Sequence, residues 1–198
     1  MSSIIKFNGA ITRQDRNRLN DHGSGVLWLT GLSGAGKSTL AYALEERLFS
    51  LGVRSYVLDG DNIRHGLNSG LGFSREDRKE NIRRIAETAK LFVDAGIIVI
   101  TAFISPYEED RKFARERFSA DEFFEIFVKC PLSVCESRDP KGQYEKVRKG
   151  LIKNYTGIDS PYEAPAMPDL VLQTDCSDIT QCLTMLTDFI KLKHLIGK

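Results

Sequence analysis

The segment Gly31-Leu32-Ser33-Gly34-Ala35-Gly36-Lys37-Ser38 decides how this chain folds. It matches the pattern G-x-x-x-x-G-K-[ST], in which a glycine-rich loop turns its backbone N–H groups toward a phosphate chain. An apolar, β-prone run (26–30) precedes it, and leucines at helical spacing follow it over 39–51. In this setting Lys37 can reach the β- and γ-phosphates and Ser38 can bind Mg²⁺. A tight strand–helix turn without a ligand is the plainer alternative, but both flanks favour a phosphate-binding P-loop.

Length and composition exclude several classes of protein. The chain has 198 residues, 28 Lys and Arg against 27 Asp and Glu, and a net charge of +1, so nothing suggests a nucleic-acid partner. The longest apolar run (95–104) is too short to span a bilayer, and the first residues lack a signal-peptide core. We therefore expect a cytoplasmic protein without a membrane partner.

The four cysteines, which we expect to be reduced thiols rather than zinc ligands, are Cys130, Cys135, Cys176 and Cys182. Redox regulation at them is left open.

Hydrophobic periodicity divides the chain into alternating strands and helices. Strands are predicted over 26–30, 54–58, 97–103, 123–130 and 170–173. Helices are predicted over 37–51, 62–67, 74–94, 106–117, 132–138, 141–153 and 179–190. This alternation predicts an α/β fold of three layers, the P-loop nucleoside-triphosphate hydrolase fold, with a five-stranded parallel sheet and helices on both faces.

The chain reads as one domain with an N-terminal arm. Residues 25–198 form the P-loop domain, and a lid covers about 141–168, of which 154–168 is a loop rich in proline and glycine. Residues 1–24 carry a basic cluster of Arg13, Arg16 and Arg18. This arm either lies over the core or is a solvated charged tail.

The acidic residues of the site follow the second strand. Asp59 and Asp61 lie where that strand ends, and ligands gather at the carboxyl ends of parallel strands. The chain has no N-K-x-D guanine signature, and its third predicted strand ends near Ser105 rather than at an aspartate. Phosphoryl transfer to a small acceptor therefore fits better than a switch or a motor. Asp61 can accept the proton of the acceptor hydroxyl, with Asp59 in the outer shell of the metal. The alternative for the pair is ordinary Asp-Gly turn chemistry.

Five motifs occur together in an order known from one family. They are Gly31-Leu-Ser-Gly-Ala-Gly-Lys-Ser-Thr, Leu58-Asp-Gly-Asp-Asn-Ile-Arg-His-Gly-Leu, Gly72-Phe-Ser-x-x-Asp-Arg-x-x-Asn-Ile-Arg-Arg, Phe103-Ile-Ser-Pro-Tyr and Lys153-x-Tyr-Thr-Gly-Ile-Asp-Ser-Pro-Tyr-Glu. Over about residues 11–190, the chain resembles the adenylyl-sulfate kinases, which use ATP to phosphorylate the 3′-hydroxyl of adenosine 5′-phosphosulfate (APS) and release PAPS and ADP. The second, third and fifth motifs are specific to that family, whereas the first is shared by many nucleotide-binding proteins.

The resemblance implies a role for each site residue. The catalytic residues would be Asp61, Lys37 and Ser105. ATP would contact Gly31, Leu32, Ser33, Gly34, Ala35, Gly36, Lys37, Ser38 and Thr39, and its base would lie near Thr174 and Cys176, with Mg²⁺ on Ser38. APS would contact Asp61, Arg64, Phe73, Arg78, Asn81, Ile104, Ser105, Lys141 and Tyr155. Phe73 and Tyr155 would sandwich the adenine of APS; without the family, both would be read as packing residues and the arginines as solvated.

The family also raises points that the residues alone leave open. In bacterial members the serine matching Ser105 is described as a phosphoserine intermediate, but no base is evident beside it in sequence, and direct transfer needs no covalent step. Contact with substrate is therefore favoured for Ser105. Members often carry Trp-His where this chain has Phe7-Asn8. The resemblance further implies a homodimer and, since no sulfurylase domain is attached, a stand-alone kinase. The alternatives are another small-metabolite kinase or a catalytically weak nucleotide-binding regulator.

Overall fold

The computed structural model, which describes residue 7 and residues 9–197, contains one five-stranded parallel sheet. The strands are β1 (Gly25–Thr30), β2 (Ser55–Asp59), β3 (Ile98–Ala102), β4 (Phe123–Lys129) and β5 (Leu170–Gln173). They lie in the order β2-β3-β1-β4-β5, and every neighbouring pair is parallel. The central β1 is buried along its whole length, so its residues form a continuous apolar run, as expected for a strand covered on both faces.

Helices cover both faces of the sheet. They are α1 (Arg13–Asn20), α2 (Lys37–Ser50), α3 (Gly60–His65), α4 (Arg75–Asp94), α5 (Glu108–Arg115), α6 (Leu132–Arg138), α7 (Gln143–Arg148) and α8 (Ile179–Leu192). On one face, Leu27 and Leu29 of β1 pack with residues of α2 and α8. On the other, Val26 and Trp28 pack with α4 and Ala114 of α5. The predicted three-layer α/β fold is confirmed, since alternate residues of β1 enter separate cores.

Several predicted boundaries shift for local reasons. The short helix after β2 begins at Gly60 rather than 62, because the Asp59 side chain accepts from the N–H groups of Asp61 and Asn62 and caps it. The helix predicted from 106 begins at Glu108, since Tyr107 is still extended. The helix predicted over 141–153 is confined to α7. Among the described residues, no helix is long and apolar enough to cross a membrane.

The N-terminal segment contains a helix that the hydrophobic pattern did not predict. The Thr12 side chain accepts from the Asp15 N–H, and Asp15 accepts from the Thr12 N–H, which together cap α1. Arg16 donates to the Asp94 carbonyl at 2.8 Å, and Asn20 donates to the Gly96 carbonyl at 2.8 Å. The segment 13–20 therefore lies against the end of α4, which agrees with the alternative in which the arm lies over the core. Asn8 of the Phe7-Asn8 pair lies outside the described residues.

Candidate active site

The P-loop joins β1 to α2 and has a backbone that only glycine accommodates at two positions. Gly31 has φ +156° and Gly34 has φ +76°. A Cβ would lie 2.4 Å from the Val128 carbonyl oxygen at Gly31 and 2.9 Å from the Cys135 carbonyl oxygen at Gly34. The loop therefore packs directly on the backbone of β4 and α6. With α2 beginning at Lys37, its N–H groups and the positive end of the helix dipole meet at this loop.

The Lys37 ammonium is held inside the loop. Its side chain donates to the carbonyls of Gly31 at 2.9 Å and Leu32 at 2.8 Å, and the residue is 8% exposed. Burial lowers the pKa of Lys37 to about 8, although nearby Asp59 and Asp61 oppose that shift. An anionic phosphate oxygen is a stronger partner for this ammonium than either carbonyl. The position suits contact with a polyphosphate.

Ser38 and Asp59 form the part of the site that suits a metal. The Ser38 hydroxyl donates to Asp59 Oδ2 at 2.6 Å, while Asp59 Oδ1 accepts from the Asp61 N–H at 3.0 Å. The described residues contain no cluster of three or more His, Cys, Asp and Glu side chains. One hydroxyl backed by one buried carboxylate fits Mg²⁺, which takes few protein ligands and completes its octahedron with water and phosphate oxygens.

One cleft of about 960 Å³ is lined by the P-loop and by a second group of residues, Arg64, Phe73, Arg78 and Asn81, which we call the far wall. Sixteen of the predicted site residues line it: Ser33, Gly34, Gly36, Lys37, Ser38, Thr39, Asp59, Asp61, Arg64, Phe73, Arg78, Asn81, Ile104, Ser105, Lys141 and Thr174. Five others do not line it: Gly31, Leu32, Ala35, Tyr155 and Cys176. Gly31, Leu32 and Ala35 belong to the P-loop itself, Tyr155 packs against Tyr144 beside the cleft, and Cys176 is exposed.

The predicted base lies opposite a lysine. Asp61, in the first turn of α3, forms an ion pair with Lys141. Burial lowers the pKa of Lys141, but the hydrogen bond and the charge of Asp61 outweigh that effect, so the pKa is raised. Both side chains reach the same part of the cleft as Lys37. The pair places a carboxylate and an ammonium side by side in the lining of the cleft.

Two arginines surround Phe73 on the far wall. Arg64 donates to the carbonyls of Leu71 and Gly72, each at 3.0 Å, and lies 4.4 Å from the centre of the Phe73 ring. Arg78 donates to the Phe73 carbonyl at 3.0 Å. Burial lowers the pKa of both guanidinium groups. A cation stripped of water in this way gains from an anionic ligand.

Arg78 also contacts the lid. It donates to the Thr156 hydroxyl at 2.9 Å and to the Asn154 carbonyl at 2.8 Å, the residues on either side of Tyr155. The Tyr155 ring packs edge-on against Tyr144 at 5.1 Å between centres. Tyr155 is absent from the cleft lining that includes Phe73, and the adenine sandwich stays a prediction.

The lid is anchored at one end. Within 154–168 the structure has no helix or strand, apart from an isolated bridge between Thr156 and Ser160. The Tyr162 hydroxyl lies 3.0 Å from the Thr30 hydroxyl, and the Glu163 N–H donates to the Pro106 carbonyl at 2.8 Å. The segment from 161 onward is thus tied to β1 and to the loop before α5.

Ser105 has a buried and tightly held hydroxyl. The residue has φ +40°, a conformation that costs energy in any residue but glycine and that clusters at functional sites. Its Oγ accepts from the Trp28 indole N–H at 3.2 Å, and its carbonyl accepts from Arg111 at 2.8 Å. In the described part of the chain, no histidine or carboxylate hydrogen-bonds to this hydroxyl.

The sequence did not predict a role for two arginines near the cleft, Arg111 and Arg138. Arg111 binds Glu125 at 2.6 Å and the Glu163 carbonyl at 2.8 Å, besides Ser105, so it joins the Ser105 loop to the anchored end of the lid. Arg138 donates to the Thr174 carbonyl at 2.5 Å and the Gly34 carbonyl at 3.5 Å. Its place after β4, at the carboxyl edge of the sheet, was the one available signal.

The residues predicted near the base of ATP divide in two. The Thr174 hydroxyl donates to the Ala35 carbonyl at 2.8 Å and so contacts the P-loop. Cys176 is exposed and donates to Asp175 at 3.4 Å, away from the cleft lining, so its contact with ATP stays a prediction. All four cysteines are free thiols, as expected.

Known proteins that are similar to this chain, both in sequence and in structure, include adenylyl-sulfate kinases. The sequence model of the adenylylsulphate kinase family matches residues 23–173. The adenylyl-sulfate kinase of Geotalea daltonii is 60% identical over 195 residues, which is 98% of this chain and 96% of that protein. The structure of the Mycobacterium tuberculosis APS kinase CysC in complex with AMPPNP and APS aligns with a TM-score of 0.81 at 48% identity, covering 86% of this chain and 98% of that chain. A hexameric APS kinase from Thiobacillus denitrificans aligns with a TM-score of 0.68 at 30% identity, covering 90% of this chain and 31% of that chain.

The family-specific motifs and the comparisons agree. The predicted acceptor residues Asp61, Arg64, Phe73, Arg78 and Asn81 share one cleft with the P-loop. The family match spans most of the chain, and the full-length relative is more than half identical. The chain belongs to the adenylylsulphate kinase family of ATP-dependent kinases.

Proposed function

We propose that this chain transfers the γ-phosphoryl group of ATP to the 3′-hydroxyl of APS, giving PAPS and ADP for sulfate assimilation. The observation that carries the proposal is the single cleft in which the P-loop faces Asp61, Arg64 and Arg78. Phosphoryl transfer requires two substrates in line, and this cleft offers a polyphosphate site at one end and a cationic wall at the other.

ATP occupies the P-loop end in this proposal. Loop N–H groups and Lys37 bind the phosphates, while Arg138 and Thr174 flank the loop at the edge of the cleft. Ser38 would hold Mg²⁺, with Asp59 in its outer shell, and the metal would supply positive charge against that of the ATP phosphates. The 2.6 Å hydrogen bond between Ser38 and Asp59 already orients the hydroxyl oxygen for that role.

APS occupies the far wall. Arg64 and Arg78, two guanidinium groups with lowered pKa values, pair with its phosphosulfate, and Asn81 donates to one of its oxygens. In the transfer, the bond between the γ-phosphorus and the bridging oxygen of ATP breaks as the 3′-oxygen bonds to phosphorus. The hydroxyl proton passes to Asp61, which must first exchange its ion pair with Lys141 for the hydroxyl.

Ser105 contacts substrate rather than forming a phosphoserine. Its hydroxyl accepts a hydrogen bond from Trp28, and among the described residues no basic partner is placed to take its proton. Direct in-line transfer needs neither a phosphoserine nor a base for the Ser105 hydroxyl. Its strained backbone instead aims the adjoining loop into the cleft.

Lid movement completes the site. The portion before 161 is held to the far wall by Arg78, and a rotation there would bring Tyr155 toward Phe73 to enclose the adenine of APS. Enclosure would exclude water and suppress ATP hydrolysis. The family resemblance and the hexameric neighbour together support an oligomer, of which we propose a homodimer as the unit.

An ADP-release assay tests the proposal. ADP formation is measured with ATP and APS, and in parallel with AMP, gluconate or shikimate as acceptor. We expect rapid ADP release when APS is the acceptor and not with the other three acceptors. Equal release with every acceptor, or with none, would reject APS as the substrate, whereas binding of ATP without any turnover would indicate a regulator.

A further inference from the structure

Asn68 is a fully buried amide that does not touch the cleft. It lies in the turn after α3, is 0% exposed, and donates from Nδ2 to Asn81 Oδ1 at 3.0 Å. Its own Oδ1 is buried and has no hydrogen-bond partner within the described residues. Burying an amide oxygen without a partner costs stability, so an apolar side chain of the same size would serve folding better.

The contact determines which way the Asn81 amide faces. Asn81 is 5% exposed and lines the cleft on the same wall as Arg64 and Arg78. Because its oxygen accepts from Asn68, its Nδ2 group is left to face the cleft as a donor. The wall then presents the Asn81 amide N–H groups beside the guanidinium groups of Arg64 and Arg78 to an anionic ligand. With the amide turned over, an oxygen would face that ligand and repel it.

Asn68 is also fixed to the helix that carries the other acceptor residues. Its backbone N–H donates to the Ile63 carbonyl at 3.0 Å, within α3, which carries Asp61 and Arg64. The side-chain bond to Asn81 reaches α4, which carries Arg78. One buried residue thus links the two helices that form the wall.

We propose that Asn68 is a positioning residue for the acceptor: it holds the Asn81 amide with its nitrogen toward the cleft and thereby sets the affinity for APS. The proposal rests on the proposed function, in which Asn81 contacts APS. It accounts for the unpartnered oxygen of Asn68 as a cost retained for substrate recognition.

Asn68→Leu provides the test, because leucine has the same number of side-chain heavy atoms as asparagine but lacks both the donor and the unpartnered oxygen. We expect the KM for APS to rise about tenfold or more, as for loss of a hydrogen bond to a charged group. The kcat and the Kd for AMPPNP should stay within about twofold of the parent. The matched control is Asn17→Leu, since Asn17 on α1 also has a buried oxygen without a partner but lies away from the cleft.

A second measurement separates positioning from folding. In an Asn81→Ala background, adding Asn68→Leu should cause no further rise in the KM for APS. An unchanged KM in the single variant, a full additional rise in the double variant, or a parallel loss of APS affinity, ATP affinity and melting temperature would overturn the proposal. Should Asn68→Leu fail to fold, Asn68→Ala, which lacks the donor and adds no bulk, takes its place under the same criteria. Turnover of APS by the parent tests the proposed function separately.

Discussion

Asp61 is the residue on which the chemistry most directly depends. It lines the cleft and, unlike Asp59, accepts no hydrogen bond from Ser38, so its carboxylate can accept from the substrate hydroxyl once it leaves Lys141. Asp61→Ala should lower kcat about 10²–10⁴-fold, the range for loss of a general base. The Kd for AMPPNP should stay close to that of the parent, since Asp59 and Ser38 are untouched. Steady-state ADP release and calorimetric binding provide the two measurements. Loss of nucleotide binding would instead make Asp61 a metal or nucleotide residue.

Arg78 should discriminate between the two substrates. Arg78→Ala removes one of the two charges on the far wall and both bonds to the lid, so the KM for APS should rise about tenfold or more while the KM for ATP changes little. Arg83→Ala on the same helix is the control, because Arg83 is exposed and its hydrogen bonds in the described part of the chain go to Glu80 of the same helix. An equal rise in both KM values for Arg78→Ala would contradict its assignment to APS.

Lys37 should make nucleotide affinity depend on pH. Its pKa is lowered to about 8, so it is protonated below that pH and loses its charge above it. Phosphate binding needs the charged form, and affinity for AMPPNP should therefore fall above pH 8 by up to about tenfold per pH unit. Titrations between about pH 7 and pH 9.5 would show the break. Lys37→Met should bind AMPPNP weakly and with no change in affinity near pH 8. An affinity of the parent that does not change with pH would exclude this role for Lys37.

At the scale of elements, the P-loop depends on how closely it approaches α6. Gly34 combines φ +76° with a Cβ position only 2.9 Å from the Cys135 carbonyl oxygen, so a methyl group there is strained in two ways. Gly34→Ala should weaken AMPPNP binding about tenfold or more, corresponding to the 1–3 kcal/mol of such strain. The control is Gly9→Ala, where a Cβ meets open space. Unchanged nucleotide affinity in Gly34→Ala would show that the loop can relax without cost.

At the scale of the whole molecule, Glu122 fastens the start of β4 to distant elements. It is 4% exposed and binds Lys90 of α4 at 2.6 Å and Arg13 of α1 at 3.0 Å. Burial raises the pKa of Glu122, but the hydrogen bonds from Lys90 and Ser119 and the charges of Arg13 and Lys90 bring it below its ordinary 4.5. A carboxylate with a lowered pKa contributes stability above its unfolded pKa and loses it as pH falls through the folded value.

Glu122→Gln should therefore lower the free energy of unfolding by about 1–3 kcal/mol at pH 7. The difference from the parent should narrow as pH falls below about 4.5, where the unfolded chain binds the proton first, and should vanish below the lowered pKa of the folded carboxylate. Urea unfolding at pH 7 and at pH 4 measures both. Glu87→Gln is the control, because its pair with Arg117 is at the surface and should contribute less than about 1 kcal/mol. A pH-independent difference for Glu122→Gln would show that packing, not charge, is lost.

The sequence by itself determined the parts of this protein that depend on local pattern. Apolar runs and helical spacing predict the five strands and the helices from α2 to α8, because burial on a sheet face or a helix stripe is periodic in sequence. The P-loop and the acidic residues after β2 follow from short motifs whose backbone geometry is set by neighbouring residues. Placing those motifs at the carboxyl edge of a parallel sheet was enough to predict that Lys37, Ser38, Asp59 and Asp61 meet.

Only the tertiary structure decided the contacts between residues that lie far apart in the chain. Helix α1 buries no residue of its own and is held by Arg16 and Asn20 bonding to the end of α4 and the loop after it, which no local pattern reveals. The Asn68–Asn81 bond and the position of Tyr155 against Tyr144 likewise arise from how loops pack once the sheet has formed. The physical reason is that side-chain orientation in a loop is set by whichever partners the fold brings within hydrogen-bond distance, and sequence spacing carries no information about those partners.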